Sequence, residues 1–374
     1  MRKFFAKVHL WLSIPFGIII AIVCLTGAIL VFETEILELG YPSRYFVKEV
    51  KGEPLSPAAL IESARQQLPD SVRINGIRVS FDPRRTYQLV LPGKKAAGFI
   101  DPYTGEVTGM DDGQGFFLKM MRLHRWLLDE YKRDGSFSWG KSIVGYATLV
   151  LAIIIISGIV IWYPRNKKVL RNRLKVKTKA GWFRFFYDLH VSGGFYAALL
   201  LLILALTGLT WSFGWYRNAF YSVFGISANP PQAHHAPASF GAKKPAKKKT
   251  DYTQWAEVLS ALKSHYPDFN SITIQDGSAT VSTARYGNTR GSDRYSFDPA
   301  TGEITEVQLY KDLPKSGKIR GWIYSVHVGS WGGNDYPYID LLSFLVGDDL
   351  RDNRLLFLDK ETIQETEMKR KRYV

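Results

Sequence analysis

Cysteine is all but missing. Cys24 stands alone in a 374-residue chain, inside an apolar run. That excludes an intrachain disulfide, a cysteine-ligated zinc and an iron–sulfur cluster, and leaves the residue as a small packing group. No G-x-G-x-x-G occurs on a strand–turn–helix pattern, so no flavin or nicotinamide site is evident. Neither HExxH nor a GxSxG elbow occurs, which argues against the proteases that use them. Histidine is scarce as well, with seven residues. Charge is absent from three long stretches: Ile14–Val31, Ile143–Tyr163 and Val191–Phe213. Each is near the roughly 20 residues a helix needs to cross a bilayer. A buried helix of a water-soluble protein is rarely apolar all round over that length.

What charge there is leans one way, to a formal net charge of +15. The link between the second and third runs, PRNKKVLRNRLKVKTKAGWFR, is strongly basic and holds no acid. The N-terminus, MRKFFAK, is basic too. Basic residues in short loops stay cytoplasmic, so both segments are expected inside and the two long polar segments outside. The first run reads as an uncleaved anchor rather than a signal peptide, because no small-x-small cleavage site follows it. The basic residues flank membrane runs rather than interleaving with exposed aromatics, which argues against nucleic acid as a partner. A lipid bilayer is the expected partner.

The chain repeats its own plan. FIDPYTGEVT at Phe99–Thr108 and FDPATGEIT at Phe297–Thr305 place the same turn between short β-branched strands. An amphipathic helix precedes each, SPAALIESARQQL and YTQWAEVLSALKSHY. His9 precedes the Thr26-Gly27 pair by 17 residues, and His190 precedes Thr207-Gly208 by the same number, with an analogous Ser157-Gly158 in the second run. Small residues of this kind let helices approach closely in lipid. The expected fold is an α-helical transmembrane bundle with two α+β extracytoplasmic domains. Its parts are transmembrane helix 1 (1–36), a first outer domain (37–115), an amphipathic interfacial helix (116–137), transmembrane helix 2 (138–164), a basic cytoplasmic loop (165–183), transmembrane helix 3 (184–217), a second outer domain (218–318) with a linker at 229–250, and an interfacial segment (319–333) carrying His327.

Symmetry demands a fourth membrane helix after His327, yet residues 334–374 carry Asp340, Asp348, Asp349, Arg351, Asp352 and Arg354. Each charge at mid-bilayer costs about 2.5–3.5 kcal/mol on insertion scales, so this tail is not expected to span. Either the C-terminal tail is a genuinely polar one or, as expected here, a frameshift after Gly333 has replaced the helix. Read one base later with permitted codons, the tail encodes an uncharged stretch ending in a Thr-Gly pair, then a basic tail. The stop that follows needs no codon choice, since Met368-Lys369 must contain TGA in the shifted frame.

Four histidines, His9, His124, His190 and His327, lie at the mouths of four apolar segments, counting the expected fourth helix. Ionisable residues there are costly and mark function, and neutral imidazole is the commonest axial ligand of haem iron. With the N-terminus inside, His9 and His190 share the cytoplasmic depth. His124, in FFLKMMRLHRWLL, and His327, in KIRGWIYSVHVGSW, share the outer one, His327 on a face with Ile323 and Trp331. That topology pairs His9 with His190 and His124 with His327, enough for two bis-histidine haems that form an electron wire. Zinc is the rival metal, but it favours clustered ligands at short spacing. Arg122, Arg125 and Arg184 are candidate partners for haem propionates. His234, His235 and His265 lie in polar sequence and are expected to be solvated.

Taken together, KVHLWLSIPFGIIIAIVCLTG, IDPYTGEV, LHRWL, SGIVIWYPR, YDLHVSGGFY…LTG and VHVGSWGG resemble the PepSY-associated transmembrane protein family, over the chain up to Gly333. The resemblance implies four membrane helices with outward PepSY-type domains in a bacterial inner membrane. Some members are similar to ferric-siderophore reductases that bind haem b and release iron as Fe(II) in the periplasm. That implies His9, His124, His190 and His327 as haem ligands, a ferric siderophore or other ferric chelate as substrate docking between the outer domains, and quinol or an unidentified donor as electron source. The alternative function is non-enzymatic: PepSY-type domains sensing or inhibiting an envelope peptidase, with dispensable histidines and no haem. A transporter component is a third reading, disfavoured because the three runs hold few midplane polar groups.

Overall fold

The computed structural model describes residues 1–93, 96–113, 115–130, 136–227, 252–283 and 288–330. Among them, three helices are long and apolar enough to cross a membrane: Arg2–Val31, Trp139–Trp162 and Trp182–Ser212. The first, α1 (Arg2–Val31), leaves Phe4, Trp11, Ile18 and Leu25 exposed, one every seven residues and therefore along one stripe. An apolar stripe of that length is suited to hydrocarbon, not water.

Two short helices, α2 (Glu33–Gly40) and α3 (Pro42–Tyr45), lead from α1 into a soluble body. That body opens with α4 (Pro57–Gln67), whose N-cap Ser56 accepts from the amide of Ala59. Four strands follow, β1 (Gly76–Ser80), β2 (Tyr87–Val90), β3 (Ala97–Ile100) and β4 (Val107–Asp111). The chain then returns to the membrane part through α5 (Phe116–Trp126) and α6 (Trp139–Trp162). After α7 (Lys167–Arg173), the third span is built from α8 (Trp182–Asp188), a π turn (Leu189–Gly193) and α9 (Gly194–Ser212). The second half repeats the order: α10 (Gly214–Val223), α11 (Thr253–His265), β5 (Phe269–Gln275), β6 (Ser278–Thr283), β7 (Ser292–Phe297), β8 (Ile304–Gln308) and α12 (Lys315–His327).

The two repeats do not stand as separate outer domains. Their strands form one antiparallel sheet in the order β4-β3-β2-β1-β5-β6-β7-β8. The seam is the β1–β5 pair, with Ile77 opposite Ile274 and Val79 opposite Ile272. Both helices, α4 and α11, cover the same face through Leu60, Ile61, Trp255 and Val258, so one core spans both halves. The reason is the edge: a four-stranded sheet with an apolar face leaves an open β1 edge, and the repeat offers the matching one. The seam therefore fills the place where a cleft between two domains, and a docked substrate, was expected.

The repeated turn behaves as read. Asp101 Oδ1 accepts from the Tyr103 amide at 2.8 Å and Asp298 Oδ1 from Ala300 at 2.7 Å, and each loop closes on a glycine at positive φ, Gly105 and Gly302.

Other boundaries moved. The interfacial helix expected over 116–137 ends at Trp126, because Leu127 and Leu128 turn into the left-handed region. The basic loop contains α7, and Arg173 donates to the carbonyls of Ile161 and Trp162 at the end of α6, while Arg2 donates to that of Tyr163. Cations there satisfy the terminal carbonyls of α6. The linker at 229–250, His234, His235, Trp331 and the tail after Gly333 with its expected frameshift lie outside the described residues.

Candidate functional site

The spans α1 and α6 run antiparallel, as do α6 and α9: Arg2 meets the end of α6, and Trp162 of α6 stacks on Phe195 at the start of α9, with ring centroids 3.6 Å apart. This brings the four singled-out histidines together in the two expected pairs, one at each end of the bundle.

At the sheet side, His124 sits in the last turn of α5. The chain after α5 is tied to the start of α6: Asp129 Oδ2 accepts from Ser138 Oγ at 2.7 Å and from the Gly140 amide at 3.1 Å. Gly140 is needed there, since a Cβ would fall 1.7 Å from the Trp126 carbonyl oxygen. So held, His124 places Nδ1 2.9 Å from the Val23 carbonyl of α1. His327 closes α12, which is anchored by Ser325 Oγ accepting from the Thr289 amide at 3.1 Å. Its Nδ1 lies 3.1 Å from Thr207 Oγ1 on α9, and it also bonds the Leu204 carbonyl. The two rings stand 6.2 Å apart, centroid to centroid. Burial lowers the pKa of both, that of His327 to about 4, with the neighbouring His124 as the second cause. Both are neutral near pH 7.

At the far end, His9 of α1 directs Nδ1 at the Ile154 carbonyl of α6, 3.0 Å away. His190 lies in the π turn, a helix irregularity that recurs at functional sites. Before that turn, the buried carboxylate of Asp188 takes both Arg184 Nε and Nη2 at 2.9 Å and the Lys177 amide at 3.2 Å. The His9 and His190 rings stand 6.1 Å apart.

Both pairs fit haem. The two imidazoles of each pair would hold the haem iron between them, and ring centroids 6.1 and 6.2 Å apart leave room for it. A carbonyl can only accept, so neutral His9 and His124 carry their proton on Nδ1, and His327 does so toward Thr207 Oγ1, whose own proton goes to carbonyls of α9. Nε2 is left with the lone pair a metal needs, in the arrangement common to ligating histidines. Each pair supplies two nitrogens, and among the described residues no cluster of three or more His, Cys, Asp or Glu exists. Two imidazoles are the number of protein ligands a haem iron would take, and they fall short of the four that zinc favours.

The candidate arginines divide. Arg184 is engaged by Asp188. Arg122 reaches the Leu128 carbonyl at 3.5 Å, and Arg125 lies over the Trp126 ring at 4.5 Å. Arg125 is near enough for its charge to act on both His124 and His327. His265 is exposed at the end of α11 against Tyr266 and belongs to neither pair. Two features escaped the sequence reading: the π turn, signalled only by the glycine-rich HVSGG, and the contacts of the Ser/Thr-Gly pairs, which touch histidines.

A family model described as the PepSY-associated TM region matches residues 6–347. No curated protein matches the chain.

Proposed function

The chain belongs to the PepSY-associated TM region family, a membrane protein by that match and by its three spans, and on that premise we propose that it is a haem-b-containing electron-transfer protein of a bacterial inner membrane. In this reading it reduces a ferric siderophore or another ferric chelate on the periplasmic side, where the sheet lies. The observation that carries the reading is the pairing of His9 with His190 and of His124 with His327 at 6.1 and 6.2 Å, at opposite ends of one bundle.

Haem held there supplies a one-electron Fe(III)/Fe(II) couple. The chain's own residues do the rest. His9 and Thr26, which mark the two depths on α1, are 17 residues apart, about 25 Å of helix rise. That is most of a hydrocarbon core of about 30 Å. The uncharged walls of α1, α6 and α9 keep water from the path. The basic N-terminus and the α7 loop support a cytoplasmic His9 end, where quinol or a partner protein would donate. On the sheet face opposite α4 and α11, Arg78 and Arg294 are exposed in one cross-strand row with Thr273 and Thr280 between them. Two guanidinium groups over hydroxyls suit an anionic chelate. Oxygen chelators hold Fe(III) far more tightly than Fe(II), so one-electron reduction releases the metal.

The peptidase-sensor alternative gives no reason for two histidine pairs in which three of the four rings are held at Nδ1. A reduced-minus-oxidised optical spectrum of the purified chain, with a pyridine haemochrome count, tests the proposal. Low-spin haem b near two per chain is expected. A folded sample that binds none, when expressed with ample haem, overturns it.

A further inference from the structure

Three of the four paired histidines dock on a neighbouring helix in one register. Nδ1 of His9 meets the Ile154 carbonyl at 3.0 Å and Ser157 Oγ at 3.1 Å. Nδ1 of His124 meets the Val23 carbonyl at 2.9 Å and Thr26 Oγ1 at 3.4 Å. Nδ1 of His327 meets Thr207 Oγ1 at 3.1 Å, and the ring bonds the Leu204 carbonyl. Each time the carbonyl belongs to the residue three before the hydroxyl. Each hydroxyl donates its own proton into the preceding turn: Ser157 to the Ile154 carbonyl at 2.8 Å, Thr26 to those of Ile22 and Val23 at 2.7 and 3.1 Å, and Thr207 to those of Ile203 and Leu204 at 2.7 and 3.1 Å. A hydroxyl that has donated its proton can only accept from the imidazole.

The residue after each hydroxyl is glycine, and the same ring atom lies over it. A Cβ at Gly158 would stand 3.2 Å from Cε1 of His9, one at Gly27 3.0 Å from Cε1 of His124, and one at Gly208 3.0 Å from Cε1 of His327. Three donors from three different helices, α1, α5 and α12, thus meet the same two-residue feature on α6, α1 and α9. Close helix approach, the ordinary use of small residues in lipid, does not account for an imidazole on top of each glycine.

We propose that Ser157-Gly158, Thr26-Gly27 and Thr207-Gly208 are histidine-positioning seats. The glycine admits the ring against the helix backbone. The carbonyl and hydroxyl then take Nδ1–H, which fixes the tautomer and the ring plane and leaves Nε2 as the ligand atom. The consequence for haem rests on the function proposed above; the seat itself is a property of the chain without haem. Partners that orient a ligating histidine change metal affinity by about 10–100-fold when removed, and the seats belong to that class.

The test uses the full chain in detergent micelles, as wild type, Gly27→Ala, Thr26→Val and Thr26→Ser. Histidine-selective ¹⁵N NMR on haem-free protein reads the tautomer. Wild type is expected to show His124 as the neutral Nδ1–H form. Gly27→Ala and Thr26→Val should mix its tautomers while leaving His9 and His327 unmoved, and Thr26→Ser should restore the wild-type signal. On haem-loaded protein, the same two variants should retain haem at the His124–His327 pair at least tenfold less well and shift its low-spin EPR g-values. The signal of the other pair should stay in place. Thr26→Val keeps the volume of threonine, so it decides the matter if Gly27→Ala does not fold. Unchanged His124 signals in Thr26→Val, haem-free and loaded, overturn the seat. A wild type that binds no haem but shows the expected tautomers overturns the function and leaves the seats standing.

Discussion

At the sheet side, His124 and His327 are both docked on neighbouring helices, and each Nδ1 is held. At the far end His9 alone is docked so; His190 stands exposed on its π turn, and among the described residues no hydrogen bond holds its ring. The ring separations differ by only 0.1 Å, 6.2 against 6.1 Å. Spacing is therefore set by how the helices pack, whereas ring orientation is set by what each imidazole touches. A ligand locked by its own hydrogen bonds is preorganised, and one left free must be ordered on binding. The sheet-side pair is expected to retain haem more firmly than the far pair.

The largest effect comes from removing one side of the comparison. On the haem reading proposed above, His327→Ala should abolish binding at the sheet-side pair and leave the far one, halving the haemochrome count, and His190→Ala should do the converse. Equal loss of both haems in either variant would show that the pairs are not independent. Next, the chain runs from the sheet's two edge strands, β4 and β8, into α5 and α12, which carry His124 and His327. Ile274, fully buried opposite Ile77 at the seam, should cost about 2–5 kcal/mol when changed to alanine. Thermal melts read by haem release should then show the sheet-side pair failing first, with the far pair little moved.

Alkali gives a comparable strain without mutation. Burial pushes Tyr87, the first residue of β2 with its ring in the core, up to about 12 from 10. Its neutral form is favoured in the folded state, so that stability is whole below pH 10 and is lost as pH rises from 10 through 12. Two pKa units correspond to about 2.7 kcal/mol. Denaturant melts at pH 9 and 11.5 should show this loss, and Tyr87→Phe should remove most of the difference. The smallest effect is expected of Gly140→Ala. Its Cβ cannot share space with the Trp126 carbonyl, and overpacking of this kind costs about 1–3 kcal/mol. Because α5 must shift, the sheet-side g-values should move while the far pair keeps its spectrum; the opposite pattern would break the link drawn here between α5 and His124.

The legible parts of this molecule were those with a period or a spacing. Uncharged runs announced the three spans, because a bilayer tolerates little else over 20 residues or so. The Asp-Pro-x-Thr-Gly turns were legible because an aspartate side chain and a positive-φ glycine are local requirements. The histidine pairing followed from counting crossings. The single sheet was not legible: β1 and β5 are far apart in sequence, and nothing local tells a strand which edge it will meet. Nor were the ends of α5, where two leucines adopt a conformation that their type disfavours.

By its sequence alone the chain determined its membrane crossings, its twofold repeat and which histidine faces which, since these depend on composition and order along one dimension. Only the tertiary structure decided that two halves share one core, and that Thr26-Gly27, Ser157-Gly158 and Thr207-Gly208 lie under imidazoles. The physical reason is that a small residue permits close approach without naming what approaches. Whether the neighbour is a backbone or a ring is settled when helices distant in sequence come into contact.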